Sequence, residues 1–214
     1  MSRAGNAIHC QNYHTTSTSY DFLNIIQHLD TMYAATGEDR IEAVWRTMMA
    51  NQLDHNKGPP GDFEREGFAW FVNGIMANSL GNEETMNTYE ELYHADNSGL
   101  LPPRGQLKDY EGVYEDYTGS NVQYGLYYQY LQRIYRSRHL FVTGKGYVGL
   151  GPLFAREGDQ VWIIPRAKVP FVFGKVSDND PSHRVFKGES YVHGIMHGEV
   201  VRDHVGDLSP VSLI

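Results

Sequence analysis

The sequence predicts an α+β fold in which an N-terminal helical layer of three to four helices packs on a small C-terminal antiparallel β-sheet or barrel. In the first half, apolar residues recur at the spacing of amphipathic helices. After Ser137 the period changes to two, and turn-forming residues separate short apolar runs. Helices followed by strands are the order of an α+β chain. We predict a single domain over residues 1–214, with the helical layer at about 19–138 and the β layer at about 139–199.

Four segments carry the helical pattern. The first has its apolar stripe at 22–33, and the second, at 38–49, opens with acidic residues in its first turn, where they suit the positive end of a helix. The third starts at Asp62, which is a capping residue, and stops near Gly81. The fourth runs from about 122 to 138, with tyrosines on its apolar side.

The stretch between the third and fourth helices is predicted to be a long loop, residues 82–120. Residues 83–93 are compatible with a short helix, but glycines and prolines interrupt the remainder of the stretch. We expect an extended, acidic segment bearing tyrosines that is mobile or covers a cleft.

Six short runs read as strands because apolar and polar residues alternate within them. They lie at 140–143, 146–150, 160–164, 169–173, 184–187 and 191–193. Six short strands so closely spaced indicate a small curled sheet or barrel.

Composition excludes several classes of protein. A net charge of −8 argues against nucleic acid or an anionic membrane surface as partner, since phosphate binding needs a basic patch. Cys10 is the single cysteine, so neither an intrachain disulfide nor a cysteine-based zinc site can form. The chain shows no signal peptide and no 18-residue apolar run, so a cytoplasmic location is expected.

Several motifs occur in a fixed order in the last third of the chain. They are GYVGLGP at 146–152, REGDQV at 156–161, VPF at 169–171 and ESYVHGIMHGE at 189–199. Together they resemble the C-terminal region of fungal heterokaryon-incompatibility (HET) proteins, in which a Trp-Arg-Thr helix like Trp45–Thr47 precedes this region. The resemblance implies a lineage in fungal self/non-self recognition. It also implies that the N-terminal HET domain, which holds the cell-death activity, is missing, and it transfers no catalytic residue.

The ESYVHGIMHGE segment supplies the main candidates for chemistry. If it is extended, His193, His197 and Glu199 share one face, so Glu199 can orient a histidine that titrates near neutral pH. This favours general acid–base catalysis by His193 and Glu199, with Tyr191 supporting them as a proton donor. Two alternatives stay open: a structural turn with His193 bonded to backbone, and a metal site, which Gly194 and its bent backbone disfavour.

Three further residues complete a predicted aromatic substrate pocket together with His197. They are Tyr147, Trp45 and His55, the last on a loop that can reach the strand layer. Gly144 to Gly151 contain a G-x-G-x-x-G string, but strand residues come after it where a nucleotide-binding loop needs a helix. We therefore expect no cofactor, and we expect no metal because the bent backbone at Gly194 disfavours a metal site.

The sequence supports two functions from different classes. The first is a cofactor-independent cyclase, isomerase or lyase of fungal secondary metabolism that acts on a small molecule by histidine acid–base chemistry. The second is a non-catalytic regulatory or protein-interaction module related to heterokaryon incompatibility. An enzyme requires a concave pocket into which His193 or His197 points, whereas a module presents an exposed apolar patch. A homodimer is compatible with either function.

Overall fold

A computed structural model describes residues 3–8, 14–15, 21–52, 58–113, 121–164, 166–177, 180–196 and 209–213. The helices are α1 (Asp21–Gln27), α2 (Arg40–Met48), α3 (Asp62–Asn78), α4 (Glu83–Ala95) and α5 (Val122–Tyr135), with a 3₁₀ helix at Arg104–Tyr110. The strands are β1 (Arg3–Ile8), β2 (His14–Thr15), β3 (Arg138–Val142), β4 (Val148–Pro152), β5 (Gln160–Ile163), β6 (Phe171–Ser177), β7 (Asp180–Glu189), β8 (Tyr191–Val192) and β9 (Ser209–Leu213). The α+β prediction is confirmed.

The helical layer has a large aromatic core. Trp45, Phe68, Tyr89 and Tyr127 are all fully buried in it. Helices α3 and α5 approach closely at Gly67, where an added Cβ atom would lie 2.6 Å from a backbone oxygen of α5. Glycine is thus required there by packing, not by backbone conformation.

Two features of the helical half differ from the sequence-based expectation. The stretch 82–120 holds α4 and the 3₁₀ helix, and is not an extended loop throughout. Its helix α4 is capped by Asn82, whose side chain accepts a hydrogen bond from Thr85 N, and it buries Met86, Tyr89 and Leu92. The predicted first helix is also shorter, because α1 ends at Gln27 and the chain reaches buried Tyr33 through turns.

The strands form two sheets. One is a closed barrel in the order β1-β5-β6-β7-β9, and the other is a four-stranded sheet in the order β2-β3-β4-β8. The strands predicted between residues 140 and 193 are all present, whereas β1, β2 and β9 were not predicted. Since β1 pairs with both β5 and β9, and β9 pairs in parallel with β7, strands from both ends of the sequence close the barrel.

A tyrosine from the helical half connects the two layers. The Tyr33 hydroxyl donates to the carbonyl oxygen of His193 at 2.9 Å and accepts from the Val148 N–H at 3.2 Å. Tyr33 is buried, and desolvation raises the pKa of its phenol well above its ordinary value, so the hydroxyl keeps its proton. It therefore holds β4 and the residue after β8 against the helices.

Candidate functional site

His193 is positioned by the end of an edge strand. Its N–H donates to the Val148 carbonyl at 3.0 Å, which continues the pairing of β8 with β4 for one more residue. The chain then turns at Gly194, whose φ of +79° is left-handed. An added Cβ on Gly194 would lie 2.8 Å from Ala35 Cβ, so the turn fits tightly beneath the segment before α2.

Both ring nitrogens of His193 have side-chain partners. Nε2 bonds to the carboxylate of Glu38, and Nδ1 lies 2.7 Å from the Tyr191 hydroxyl. In the neutral imidazole, Nε2–H donates to Glu38 and Nδ1 accepts the Tyr191 proton; in the cation, Nδ1–H donates to Tyr191. His193 is only 4% exposed. We call Glu38, His193 and Tyr191 the carboxylate–imidazole–phenol relay.

The carboxylate of Glu38 is held as an anion. Burial raises its pKa, but this is outweighed by the hydrogen bond and charge of His193, the Thr36 hydroxyl at 2.9 Å and the Arg46 guanidinium at 3.6 Å. The net effect is a pKa below its ordinary value of 4.5. Glu38 can thus orient the His193 ring through its hydrogen bond to Nε2.

The polar network continues from Arg46 along α2. Arg46 Nε lies 3.8 Å from Glu42 Oε2, and the same oxygen accepts from Trp45 Nε1 at 2.5 Å. Arg65 of α3 pairs with the other oxygen of Glu42. The network therefore links the relay to two helices of the helical layer.

An open cleft of about 820 Å³ lies beside the relay. His193 and Tyr191 line it, together with Gly58, Gly194 and polar residues of both layers: Thr36, Asn51, Gln52, Arg138, Glu189 and Ser190. Ala50, Pro59, Val169 and Met196 supply its apolar walls. Its size suits a small organic molecule or a few residues of peptide.

The cleft brings together only some of the site residues predicted from sequence. Trp45 is fully buried in the helical core, and Tyr147 packs against a small cluster of the β layer; neither is among the described lining residues. His55, His197 and Glu199 lie outside the described residues, so their predicted roles stay predictions.

Glu38 is the site residue that sequence reasoning missed. The sequence places it in the first turn of the second helix, which is a common position for a carboxylate, but in the structure Glu38 precedes α2 and its N-cap residue Asp39. Its contact with His193 joins residues 155 positions apart, and no local pattern signals such a pair. Within the described part of the chain, no group of three His, Cys, Asp or Glu side chains is arranged to hold a metal ion.

Comparison with known proteins finds a similarity over the part of the chain that carries β3 to β8. Residues 106–205 match the family model of the Het-6 beta-barrel domain. Heterokaryon incompatibility protein 6, OR allele, of Neurospora crassa is 32% identical over 74 residues, which make up 35% of this chain and 11% of that protein. No solved structure matches the chain significantly. The resemblance to the C-terminal region of HET proteins is confirmed, and this chain spans a small part of its relative.

The matched range does not contain every part of the observed site. Of the five barrel strands, β5, β6 and β7 lie within residues 106–205, while β1 and β9 lie outside. Glu38 also lies outside, although it bonds to His193 inside the range. None of the helices in the described ranges is long and apolar enough to cross a membrane.

Proposed function

We propose that this chain is a non-catalytic regulatory or protein-interaction module related to heterokaryon incompatibility. The match of residues 106–205 to the Het-6 beta-barrel domain carries the proposal. The relative from Neurospora crassa is named as a heterokaryon incompatibility protein, which suggests self/non-self recognition as the setting. The module acts by binding, and its histidine relay serves to hold the two layers in one arrangement.

Exposed aromatic residues on the β layer support a binding role. Phe154 is 76% exposed and Phe186 is 51% exposed, although both are large apolar side chains. Lys187, which follows Phe186 in β7, donates to the Phe154 carbonyl at 3.1 Å, so the backbone of Phe154 lies close to the Lys187 side chain. Aromatic side chains are enriched in protein-binding surfaces, so two that are exposed to this extent favour a binding role.

A segment exchange tests this proposal. The part of the Neurospora crassa relative that corresponds to residues 106–205 of this chain is replaced by those residues, which include Phe154 and Phe186, and the incompatibility reaction of the transformed strain is scored. We expect the exchanged protein to support the reaction, and Phe154→Ser together with Phe186→Ser to reduce it several-fold, because each removes an apolar anchor. Phe63 on α3 is also exposed, so Phe63→Ser in this chain is the matched control. The change in its melting temperature measures how much a Phe→Ser change at an exposed position costs in stability.

Two results would contradict the module. One is an exchanged protein that accumulates normally and supports no reaction. The other is an unchanged reaction in the Phe154→Ser, Phe186→Ser double variant at equal protein level.

The relay supports a second candidate function, the small-molecule enzyme. Glu38 and His193 are arranged as a carboxylate that orients an imidazole, and Tyr191 lies on the imidazole's other nitrogen at 2.7 Å beside the cleft. In such an enzyme, His193 accepts the Tyr191 proton, and the phenolate so formed takes a proton from the substrate. Under this second candidate function, the reaction that we propose is that of a cyclase, an isomerase or a lyase.

Tyr191→Phe and His193→Ala separate the two functions. Each variant is expressed in a fungal host, its metabolites are profiled, and its thermal melt is measured. The module predicts lower melting temperatures and an unchanged profile, because the relay joins the layers. Loss of a metabolite at an unchanged melting temperature would establish the enzyme instead.

A further inference from the structure

Two buried polar atoms at the cleft lack hydrogen-bond partners among the described residues. Ser190 is 2% exposed and its Oγ is unpaired, and the Oδ1 atom of Asn51 is likewise buried and unpaired. Both residues line the same cleft, Ser190 from the β layer and Asn51 from the turn that follows α2. Because an unpaired buried polar group is destabilising, two at one cleft indicate that something else pairs with them.

A positively charged side chain, Arg138, lines the same cleft. Arg138 donates one N–H to the Glu189 carbonyl at 2.9 Å, and among the described residues no carboxylate pairs with its guanidinium. Its remaining N–H groups are donors suited to a carboxylate. The exposed carboxylate of Glu189 at the rim disfavours ligands with two negative charges, such as a phosphate monoester, relative to a single carboxylate.

We propose that this cleft binds a monocarboxylate that also carries an N–H donor, which is the chemistry of an acylated amino acid or of the carboxyl end of a peptide. The carboxylate lies on Arg138 and accepts from Ser190 Oγ, and the N–H donates to Asn51 Oδ1. The apolar walls at Val169 and Met196 take the side chain of the ligand. This inference concerns a binding site alone and does not depend on the proposed function.

The backbone explains why Asn51 holds its position without a ligand. Asn51 has a φ of +47° directly after α2, and its N–H donates to the Arg46 carbonyl at 2.7 Å. Asparagine tolerates this left-handed conformation better than most residues. The side-chain amide is therefore presented to the cleft by the end of the helix.

Calorimetric titration of the full chain with N-acetyl-L-leucine tests the proposal, with N-acetyl-L-leucinamide as the uncharged comparison. We expect saturable binding of the acid, and binding of the amide weaker by about tenfold, because a charge-assisted hydrogen bond is lost. A tripeptide ending in leucine, with a free or an amidated carboxyl end, distinguishes the two sources of this chemistry. Tighter binding of the free-ended tripeptide than of N-acetyl-L-leucine would assign the cleft to peptide ends.

Ser190→Ala is the decisive variant, because it affects binding and stability differently. It removes a hydroxyl with no partner in the folded chain, so the melting temperature should stay the same or rise, while the acid should bind about tenfold more weakly. Ser79→Ala is the matched control: Ser79 is also buried, but its Oγ donates to the Ile75 carbonyl at 2.9 Å. That change should lower the melting temperature and leave binding unchanged.

Three results would overturn the proposal. The first is no saturable binding of either the acid or the free-ended tripeptide up to about 20 mM, beyond which binding is too weak to be specific. The second is equal binding of acid and amide. The third is binding that neither Ser190→Ala nor Arg138→Gln weakens.

Discussion

At the scale of single residues, the contact between Glu38 and His193 makes stability depend on pH. The folded state lowers the pKa of Glu38 below 4.5, so the folded chain binds fewer protons than the unfolded chain in that range. This contribution to stability is complete above pH 4.5 and is lost as the pH falls through the lowered pKa. Because Glu38 is partly exposed, solvent screening reduces its size.

Glu38→Gln tests this dependence. We expect the variant to melt at a lower temperature than the wild type at neutral pH, and the difference to shrink as the pH falls from 4.5 to about 3. Thermal melts over that range measure it. Glu83→Gln is the control, since Arg104 also lowers the pKa of Glu83 but at an exposed position on α4. A melting-temperature difference between Glu38→Gln and the wild type that stays constant with pH would contradict the assignment of Glu38 as an anion.

Tyr33 allows a second prediction at this scale. Tyr33→Phe leaves the buried Val148 N–H without its partner and removes the bond to the His193 carbonyl. We expect the free energy of unfolding to fall by about 1–3 kcal/mol, measured by denaturant titration. Tyr127→Phe is the comparison, because that hydroxyl donates to a methionine sulfur, Met48 Sδ at 3.8 Å, which is a weak acceptor. Equal losses in the two variants would show that Tyr33 does not join the layers.

At the scale of elements, helices α3 and α5 pack closely at Gly67. Gly67→Ala would place a methyl group 2.6 Å from the Gln123 carbonyl oxygen and 2.8 Å from Tyr127 Cβ, so α3 and α5 would have to separate. Overpacking of this kind costs about 1–3 kcal/mol in the free energy of unfolding.

The control for Gly67 lies on the partner helix. A Cβ on Gly125 of α5 meets nothing within 4 Å, so Gly125→Ala should raise stability by up to about 1 kcal/mol through helix propensity. Denaturant titration of both variants is the measurement. If Gly67→Ala is as stabilising as Gly125→Ala, the result would contradict the close packing of α3 on α5 at Gly67.

The same scale shows which elements can be predicted from sequence. The strands from β3 to β8 are predicted by the alternation of apolar and polar residues and by the turn residues that flank them. Helices α2 and α3 are predicted by their apolar faces. Strand β2, which pairs with β3, has two residues, and two residues are too few for an alternating pattern to appear. Helix α4 carried a cap at Asn82 and buried residues at Met86 and Tyr89, but the glycines and prolines after it favoured a loop for the whole stretch.

At the scale of the whole molecule, the barrel depends on parts of the chain far from the matched domain. Strand β1 closes it against β5 and β9, and residues 106–205 contain neither β1 nor β9. Glu38 and Tyr33 bond to His193 from the helical layer. We infer that the β layer is not an independent folding unit.

Expression of residues 106–205 alone tests this inference. We expect the fragment to lack a cooperative thermal transition. Without β1 and β9 the edges of the barrel strands stay unpaired, and without the other helices the apolar surface of the β layer stays exposed. Circular dichroism and amide-proton dispersion, compared with the full chain under the same conditions, are the measurements. A cooperative melt with a dispersed spectrum would show that the barrel closes without β1 and β9.

The sequence by itself determined the α+β class, the strands between residues 140 and 193 and the resemblance to HET proteins, and it singled out His193 and Tyr191 as candidate site residues. These rest on local periodicity and on motifs that stand close together in the chain. Only the tertiary structure decided that Glu38 is the partner of His193, that β1 and β9 close the barrel, and that Ser190 and Asn51 meet at one cleft. The physical reason is the same in each case: these contacts join residues far apart in the chain, and a single sequence carries no local signal for such pairs.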